Sequence, residues 1–155
     1  MRDAMTIASY ICRRYEAEQG ERIDEMKLHK LLYLAQRESL IRTGEPLFEE
    51  AFHGWRFGPV LPQIREHYKN NDFQPITDAE LGDDKATLDA VFENYARKDS
   101  WSLTRLTHGE ICWKKSRKGI APNESSNNMI PLADIRLDAK RMKERRDMLD
   151  LDGQL

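Results

Sequence analysis

The stretch DEMKLHKLLYLAQRESLIRTG, residues 24–44, decides the fold, because its apolar residues face several directions at once. A helix turns by about 100° per residue, so these side chains form three separate stripes: Leu28, Leu31, Leu32 and Ala35; Met26, Tyr33 and Leu40; Leu34 and Ile41. A helix that is apolar on several sides must be covered on several sides. We therefore predict a buried central helix from Asp24 to about Arg42, ended by Gly44 and Pro46.

A second stretch, FHGWRFGPVLP at residues 52–62, interrupts the helical pattern. Gly58 can take backbone angles that other residues avoid, and Pro59 pushes Gly58 away from helical geometry. Pro62 suits the first position of a helix, where a backbone donor is not needed. We predict an extended segment at residues 51–57, a break at Gly58 and Pro59, and a new helix from Pro62.

Apolar spacing and capping residues predict shorter helices in the rest of the chain. Their predicted starts are Asp3, Pro62, Thr77, Asp84, Asp99, Thr107 and Pro131. The one at Thr107 rests on capping-box spacing to Glu110, and residues 119–129 are predicted to be an exposed loop. The last helix has only a thin apolar stripe, formed by Ile135, Ala139, Met142 and Leu149.

These elements predict a mainly α protein, folded as a compact single domain around the buried central helix. The only expected extended or β segment lies near residues 51–57. We assign residues 1–130 to the helical domain. Residues 131–155 are assigned to a charged helix and tail that packs on this domain or extends from it.

The composition favours one soluble domain in the cytoplasm. The 155 residues are 39% hydrophobic and 34% charged, with a mean hydropathy of −0.76. The apolar runs are too short to span a bilayer, and the N-terminus lacks the apolar block of a secretion signal. Cys12 and Cys112 are expected to be free thiols, as is usual in a reducing compartment.

No catalytic or metal-binding pattern stands out. The candidate ligands His29, His53, His67, His108, Cys12 and Cys112 are not spaced like zinc ligands. Neither a nucleophile elbow nor a glycine-rich phosphate loop is present, and the paired carboxylates beside turns are expected to be solvated. We therefore expect no metal site, no cofactor and no enzymatic activity.

Two basic runs, at residues 114–118 and 140–146, allow an alternative function. Cations late in a helix are favoured by the helix dipole, and the net charge of −2 does not attract nucleic acid to the whole molecule. A regulator that binds nucleic acid through Lys140–Arg146 is nevertheless the second hypothesis. The tryptophans Trp55, Trp101 and Trp113 suit either a core or a protein interface, and we predict that they belong to the core.

Four ordered motifs resemble one known family. They are Lys27–Gln36, Gly44–Phe48, Trp55–Pro62, and Leu106–His108 together with Trp113. In this combination the chain resembles the Panacea-domain proteins, which are SocA-like antitoxins often labelled phage-associated proteins, from about Met5 to about Arg117. Gly54 departs from the family, where alanine commonly precedes the tryptophan, and Leu34 stands where a second aromatic is common.

This resemblance implies a function through protein binding. Family members neutralise a protein toxin encoded by an adjacent gene, usually by direct contact, and in the SocA branch the antitoxin delivers its toxin to the ClpXP protease. The domain at residues 1–130 would then be a Panacea-type domain.

The family motif falls on a defined set of residues in this chain, each with a structural or partner-binding role. They are Lys27, Lys30, Leu31, Leu32, Tyr33, Gln36, Trp55, Gly58, Pro59, Leu106, Thr107, His108 and Trp113. If Lys30, Gln36 and His108 are buried, their polar groups need partners. We expect His108 to be a capping or core histidine with its polar groups satisfied.

Overall fold

A computed structural model shows a mainly helical domain and describes residues 1–153. The elements, in chain order, are α1 (Ala4–Gln19), α2 (Glu25–Thr43), β1 (His53–Trp55), β2 (Gly58–Val60), α3 (Pro62–Asn70), α4 (Asp78–Leu81), α5 (Asp84–Tyr95), α6 (Ser100–His108), α7 (Ile111–Ser116) and α8 (Leu132–Gly153). The predicted mainly α fold class is confirmed. The last two residues of the predicted C-terminal tail, 154–155, lie outside the described residues.

The predicted central helix is α2, and it packs against α1, α5, α6, α8 and β2. Each of the three predicted stripes has buried residues, including Leu28, Leu34 and Leu40, whereas Met26 and Ile41 are partly exposed. The Asp24 carboxylate accepts a hydrogen bond from the backbone N–H of Lys27 at 2.8 Å. Gly44 ends the helix in the left-handed conformation. Both predicted ends of this helix are confirmed.

The polar residues of α2 are buried as well, and they hold the surrounding segments by hydrogen bonds. Lys27 Nζ lies 3.2 Å from both the Tyr15 hydroxyl, on α1, and the carbonyl oxygen of Ala96, after α5. The Gln36 side chain donates to the carbonyl of Phe48 at 2.9 Å and accepts from the N–H of Leu47 at 2.7 Å. Because Lys27 and Gln36 bond to neighbouring segments in this way, α2 fixes its neighbours in register as well as covering them.

A second set of buried polar groups on α2 holds α7. The Arg37 guanidinium donates to Glu110 Oε1 at 2.8 Å and to the Tyr95 hydroxyl at 3.0 Å. The Tyr33 hydroxyl donates to Glu110 Oε2 at 2.6 Å and lies 3.3 Å from Cys112 Sγ. Burial raises the pKa of Glu110, and the charge of Arg37 opposes this rise. The start of α7 is therefore anchored to the middle of α2.

The extended segment is half of a hairpin. Strands β1 and β2 pair antiparallel, with His53 opposite Val60 and Trp55 opposite Gly58. Gly58 and Pro59 interrupt the helical pattern as predicted, but they belong to the returning strand, and the turn lies before them at Arg56 and Phe57. Gly58 has a φ of +129°, which lets the chain re-enter the strand directly after the turn. The predicted start of α3 at Pro62 is confirmed.

The predicted capping box at Thr107 was wrong. Thr107 lies inside α6, where its hydroxyl donates to the carbonyl of Thr104 at 3.1 Å. The N-terminus of α7 is capped from elsewhere in the chain: the Asp138 carboxylate, on α8, accepts from the N–H groups of Ile111 and Cys112, both at 2.8 Å. The local capping residues Asp3, Thr77 and Asp99 are confirmed.

The C-terminal helix α8 packs on α2 and α7 through its first half. Ile135 and Ala139 are buried, whereas Leu149, predicted to share their stripe, is 61% exposed. A bidentate ion pair joins Arg146 to Glu38 on α2, with both N–O distances at 2.9 Å. The predicted division at residue 130 stays a prediction. Within residues 1–153, no helix combines the length and apolar character that a bilayer crossing requires.

Candidate functional site at the hairpin tip

The hairpin, the first turns of α2, α3 and the loop at residues 125–127 surround a cavity of about 690 Å³. This volume is typical of a binding pocket rather than of a packing defect. It is lined by Glu25, Met26, His29, Lys30, Trp55, Arg56, Phe57, Val60, Arg65, Ser125, Ser126 and Asn127.

Lys30 supports the hairpin tip from below. Its ammonium group donates a hydrogen bond to the carbonyl of Phe57. It also occupies the space that a Cβ on Gly58 would need, and the same Cβ would lie 2.9 Å from Thr107 Oγ1. Burial lowers the pKa of Lys30 to about 8. Lys30 and Thr107 therefore both pack against Gly58. This packing is a physical reason for the three residues to belong to one motif.

His29 presents a donor without a well-formed hydrogen bond in this part of the molecule. The side chain is buried, and its Nδ1 accepts a hydrogen bond of 3.4 Å from the backbone N–H of Leu61. Burial lowers the pKa of His29, which favours the neutral ring. Because Nδ1 accepts a hydrogen bond, the neutral ring carries its proton on Nε2. Nε2 lies 3.4 Å from Glu25 Oε2 but makes no hydrogen bond of good geometry among the described residues.

Arginine and aromatic side chains alternate around the cavity. The Arg65 guanidinium lies over the Trp55 ring at 5.2 Å, and that of Arg56 lies over the Phe57 ring at 4.9 Å. Phe57 also meets Trp101, from α6, edge to face at 6.0 Å. Phe57 is 40% exposed and Trp101 59% exposed, so the prediction that Trp101 belongs to the core was wrong. The cavity and this exposed pair form one continuous surface, which we call the hairpin-tip surface.

The other two tryptophans hold the hairpin in place and are partly buried. The Trp55 indole donates to Asn127 Oδ1 at 2.8 Å, and the Trp113 indole donates to the carbonyl of Trp55 at 2.8 Å. The His108 ring stacks on Trp113 with centroids 3.9 Å apart. His108 Nε2 is buried without a hydrogen bond of good geometry among the described residues. The expectation of a fully satisfied His108 is therefore not met; its main partner is an aromatic face.

Seven of the predicted motif residues meet around the hairpin: Lys30, Trp55, Gly58, Pro59, Thr107, His108 and Trp113. Lys27, Tyr33 and Gln36 instead bind other segments along α2, as described above. Leu31 and Leu32 are fully buried core residues, and Leu106 packs against the core while partly exposed. The motif therefore marks the core helix together with the hairpin that crosses it.

Sequence reasoning did not single out several side chains of the hairpin-tip surface. Arg65 and Glu25 reach the cavity from two different helices, and their N–O distance is 3.1 Å. Asn127 reaches it from a loop that the sequence marked only as exposed. Nothing local distinguishes these residues from other surface groups. Lys30, Trp55, Arg56 and Phe57 did carry a signal, because they lie inside the Lys27–Gln36 and Trp55–Pro62 motifs.

The departure at Gly54 has a steric explanation in this chain. A Cβ at Gly54 would overlap the Ser116 hydroxyl of α7 and lie 2.9 Å from Ser116 Cβ. Ser116 in turn donates to the carbonyl of Trp113 at 2.7 Å. The hairpin and α7 thus approach more closely here than a residue with a side chain would permit.

The basic runs contribute partly to the fold itself. Arg117 is 5% exposed, and its guanidinium donates to the carbonyls of Gly54 at 3.2 Å and Glu124 at 2.6 Å. Arg146 pairs with Glu38, as described above. Lys140 and Lys143 are exposed beside the C-terminal end of α2, where the helix dipole favours cations without any ligand.

The four histidines and two cysteines are the candidate metal ligands of the sequence. Among the side chains of residues 1–150, no three His, Cys, Asp or Glu come together to hold a metal ion. Cys12 and Cys112 are free. Burial raises the pKa of the Cys12 thiol to about 12 and raises that of Cys112 further. Neither sulfur is therefore a ready thiolate at neutral pH.

The protein is thus a mainly helical domain built on a buried central helix, with a motif-bearing hairpin across that helix. Residues 28–114 match the family model described as "Antitoxin SocA-like, Panacea domain". The chain belongs to this antitoxin family. It is 39% identical over 49 residues to Antitoxin SocA of Caulobacter vibrioides (strain NA1000 / CB15N). This match covers 32% of the present chain and 26% of that protein. The chain thus matches about a quarter of that relative's length. No solved structure gives a significant match.

Proposed function

We propose that this protein is a noncatalytic antitoxin that acts in the cytoplasm. It neutralises a protein toxin encoded by an adjacent gene by binding it directly through the hairpin-tip surface. Family membership supports the antitoxin role. The observation that carries the choice of surface is the exposed pair Phe57 and Trp101, which stands beside a cavity of about 690 Å³.

Exposed aromatic rings of this kind are typical of protein interfaces. Single apolar residues on a surface need no explanation, but two adjoining aromatics and a cavity form a contiguous patch. Tryptophan and arginine are enriched among the residues that dominate binding energy. The hairpin-tip surface presents Trp101 beside Phe57 and Arg56. Its backbone is held by Lys30 and Trp113, so little ordering entropy is lost on binding.

Co-expression with the adjacent gene tests this function. We expect that gene alone to arrest growth and this protein to restore it, with the two proteins eluting together in size-exclusion chromatography. A harmless neighbour, or toxicity that persists in the presence of this protein, would refute the proposal. Co-purification without rescue would refute neutralisation by binding alone.

Delivery to ClpXP is the finer form of the proposal, and it follows the family resemblance. Masking and delivery differ in the amount of toxin in the cell. If delivery is the mechanism, removal of the protease raises the toxin level in cells that contain this protein and abolishes rescue. Rescue that is unchanged without the protease would establish masking instead.

A further inference from the structure

We infer that the cavity beneath the hairpin tip receives a carboxylate side chain of the partner protein, flanked by an apolar residue. This inference rests on the proposed function and adds the chemistry of the partner. It is argued from the donors that face the cavity, from the local charge, and from the aromatic surface that adjoins it.

The polar groups in the cavity wall are mainly hydrogen-bond donors. His29 must carry its proton on Nε2, because Nδ1 already accepts from the Leu61 N–H. The Nε2 atom is buried and lies 3.4 Å from Glu25 Oε2, but it has no hydrogen bond of good geometry among the described residues. A buried donor without a well-formed hydrogen bond is unfavourable, so the cavity favours an occupant that supplies a better-placed acceptor oxygen.

The local charge specifies an anionic acceptor. Of the cavity-lining residues in the described part of the chain, Lys30, Arg56 and Arg65 are cations and Glu25 is the acid, which pairs with Arg65 at 3.1 Å. The chain as a whole carries a net charge of −2, so the positive charge here is a local feature. Arg56 has no ion-pair partner among the side chains of residues 1–150, and its guanidinium rests on the Phe57 ring. It is therefore available to a carboxylate from outside.

The remainder of the wall is apolar. Met26, Trp55, Phe57 and Val60 line the cavity beside the charged groups. A bare anion would leave these surfaces in contact with water, whereas a carboxylate next to an apolar side chain covers both kinds of wall. The occupant is therefore amphipathic.

The exposed aromatic pair favours a protein over a small molecule. Phe57 belongs both to the cavity wall and to the edge-to-face contact with Trp101. A ligand confined to the cavity would leave Trp101, which is 59% exposed, uncovered. A protein segment that inserts one carboxylate can lay neighbouring apolar residues over Trp101 as well.

Charge reversal tests this inference on the complex with the toxin. Arg56→Glu is expected to weaken binding by at least about tenfold, because a desolvated charge pair becomes a repulsion. Arg13→Glu is the matched control: it makes the same change at an exposed position of α1, outside the cavity lining, and should leave binding within about twofold. Unchanged affinity in Arg56→Glu would overturn the inference while leaving the antitoxin function intact.

Two histidine variants separate the donor from the packing of the ring. His29→Gln can keep an N–H near the position of Nε2, whereas His29→Asn can keep only an acceptor near the position of Nδ1. We expect His29→Asn to bind the toxin more weakly than His29→Gln by about fivefold to tenfold. A toxin in which one acidic residue is changed to arginine should regain affinity for Arg56→Glu. If no acidic residue of the toxin restores binding, the inference fails.

A peptide probe makes the inference independent of the toxin. Nuclear magnetic resonance would follow the Trp55 and His29 signals during titration with acetyl-Leu-Glu-Leu-amide, with its glutamine analogue and with adenosine monophosphate. We expect shifts with the glutamate peptide that are lost in Arg56→Glu. Equal shifts with the glutamine analogue, or shifts with the nucleotide alone, would overturn the inference even if the proposed function also fails.

Discussion

Lys30 and Gly58 are in direct contact: the ammonium group of the central helix lies where a glycine Cβ would be, and it donates to the carbonyl just before that glycine. The contact joins the two longest sequence motifs of the chain. It also sets how closely the hairpin crosses α2. The position of Phe57 and Arg56 on the surface therefore depends on a buried lysine.

Gly58→Ala should destabilise the protein more than Gly20→Ala, because it adds a steric overlap to the strain of a positive φ. Gly58 has a φ of +129°, and its Cβ would overlap Lys30 and crowd Thr107. We expect a loss of about 2 to 4 kcal/mol in the free energy of unfolding, measured by urea denaturation. Gly20→Ala is the control, because Gly20 also has a positive φ, +77°, but an added Cβ there meets nothing within 4 Å. The control should lose about 1 kcal/mol, and equal losses would contradict the steric explanation.

The lowered pKa of Lys30 predicts a specific pH dependence. The folded protein holds this group at a pKa of about 8, below the ordinary lysine value of 10.5. Between these values the unfolded chain binds more protons than the folded one, so the contribution of Lys30 to stability rises with pH. Below about pH 8 the folded protein therefore bears the full cost of burying a charged Lys30. Above about pH 10.5 Lys30 is neutral in both states, and this cost has disappeared.

Comparison with Lys30→Met isolates this contribution. The stability of the wild type minus that of the variant should be constant below about pH 7 and rise by about 1 to 3 kcal/mol between pH 8 and 10.5. The difference is needed because Tyr33 and other buried groups titrate in the alkaline range with raised pKa values. A flat difference across that range would show that Lys30 titrates normally.

Much of the fold could be predicted because its determinants are local. The caps Asp24 and Gly44 and the many-sided apolar pattern between them specified α2 without knowledge of any other segment. The starts of α3 at Pro62 and of α6 at Ser100 also follow from neighbouring residues. Where a helix end is determined by its own sequence, the prediction held.

The errors concern contacts between residues far apart in the chain. The cap of α7 comes from Asp138, on α8, rather than from Thr107. Gly58 lies opposite Trp55 in the hairpin. This register depends on the hydrogen bonds from Lys30 to the Phe57 carbonyl and from Trp55 to Asn127, as well as on the turn. Trp101 is exposed because the helix that carries it presents Leu103 to the core instead. No local spacing distinguishes these outcomes, so the sequence pointed to a surface near Trp55–Pro62, but its cavity and the contact with Trp101 emerged only from the structure.

Asp138→Asn tests the long-range cap. The carboxylate accepts from two backbone N–H groups at the start of α7, and an amide can accept with only one of its two end groups. We expect a loss of about 1 to 2 kcal/mol in unfolding free energy. Asp147→Asn, at an exposed position of the same helix, should change stability by less than about 0.5 kcal/mol. Equal effects would show that the helix charge, not the cap, matters.

Arg146→Ala tests how α8 is held on α2. The Glu38 side chain is only 3% exposed, while that of Arg146 is 34% exposed. Removing the arginine leaves a buried carboxylate without its cation, so we expect a loss of about 1 to 3 kcal/mol. The exposed neighbour Arg145 provides the control, and Arg145→Ala should be nearly neutral. The double variant Arg146→Ala with Glu38→Gln should recover part of the loss, and no recovery would contradict an ion-pair role.

Trp101→Ser separates binding from folding. The indole is 59% exposed, so its removal should change the free energy of unfolding by less than about 1 kcal/mol, while the apolar patch beside Phe57 loses its largest member. If the hairpin-tip surface binds the toxin, this variant keeps its circular dichroism spectrum but loses at least about tenfold in toxin affinity. Leu103→Ala, in the same helix but fully buried, should instead cost about 2 to 5 kcal/mol of stability. A Trp101→Ser variant that still neutralises the toxin at wild-type potency would place the interface elsewhere on the domain.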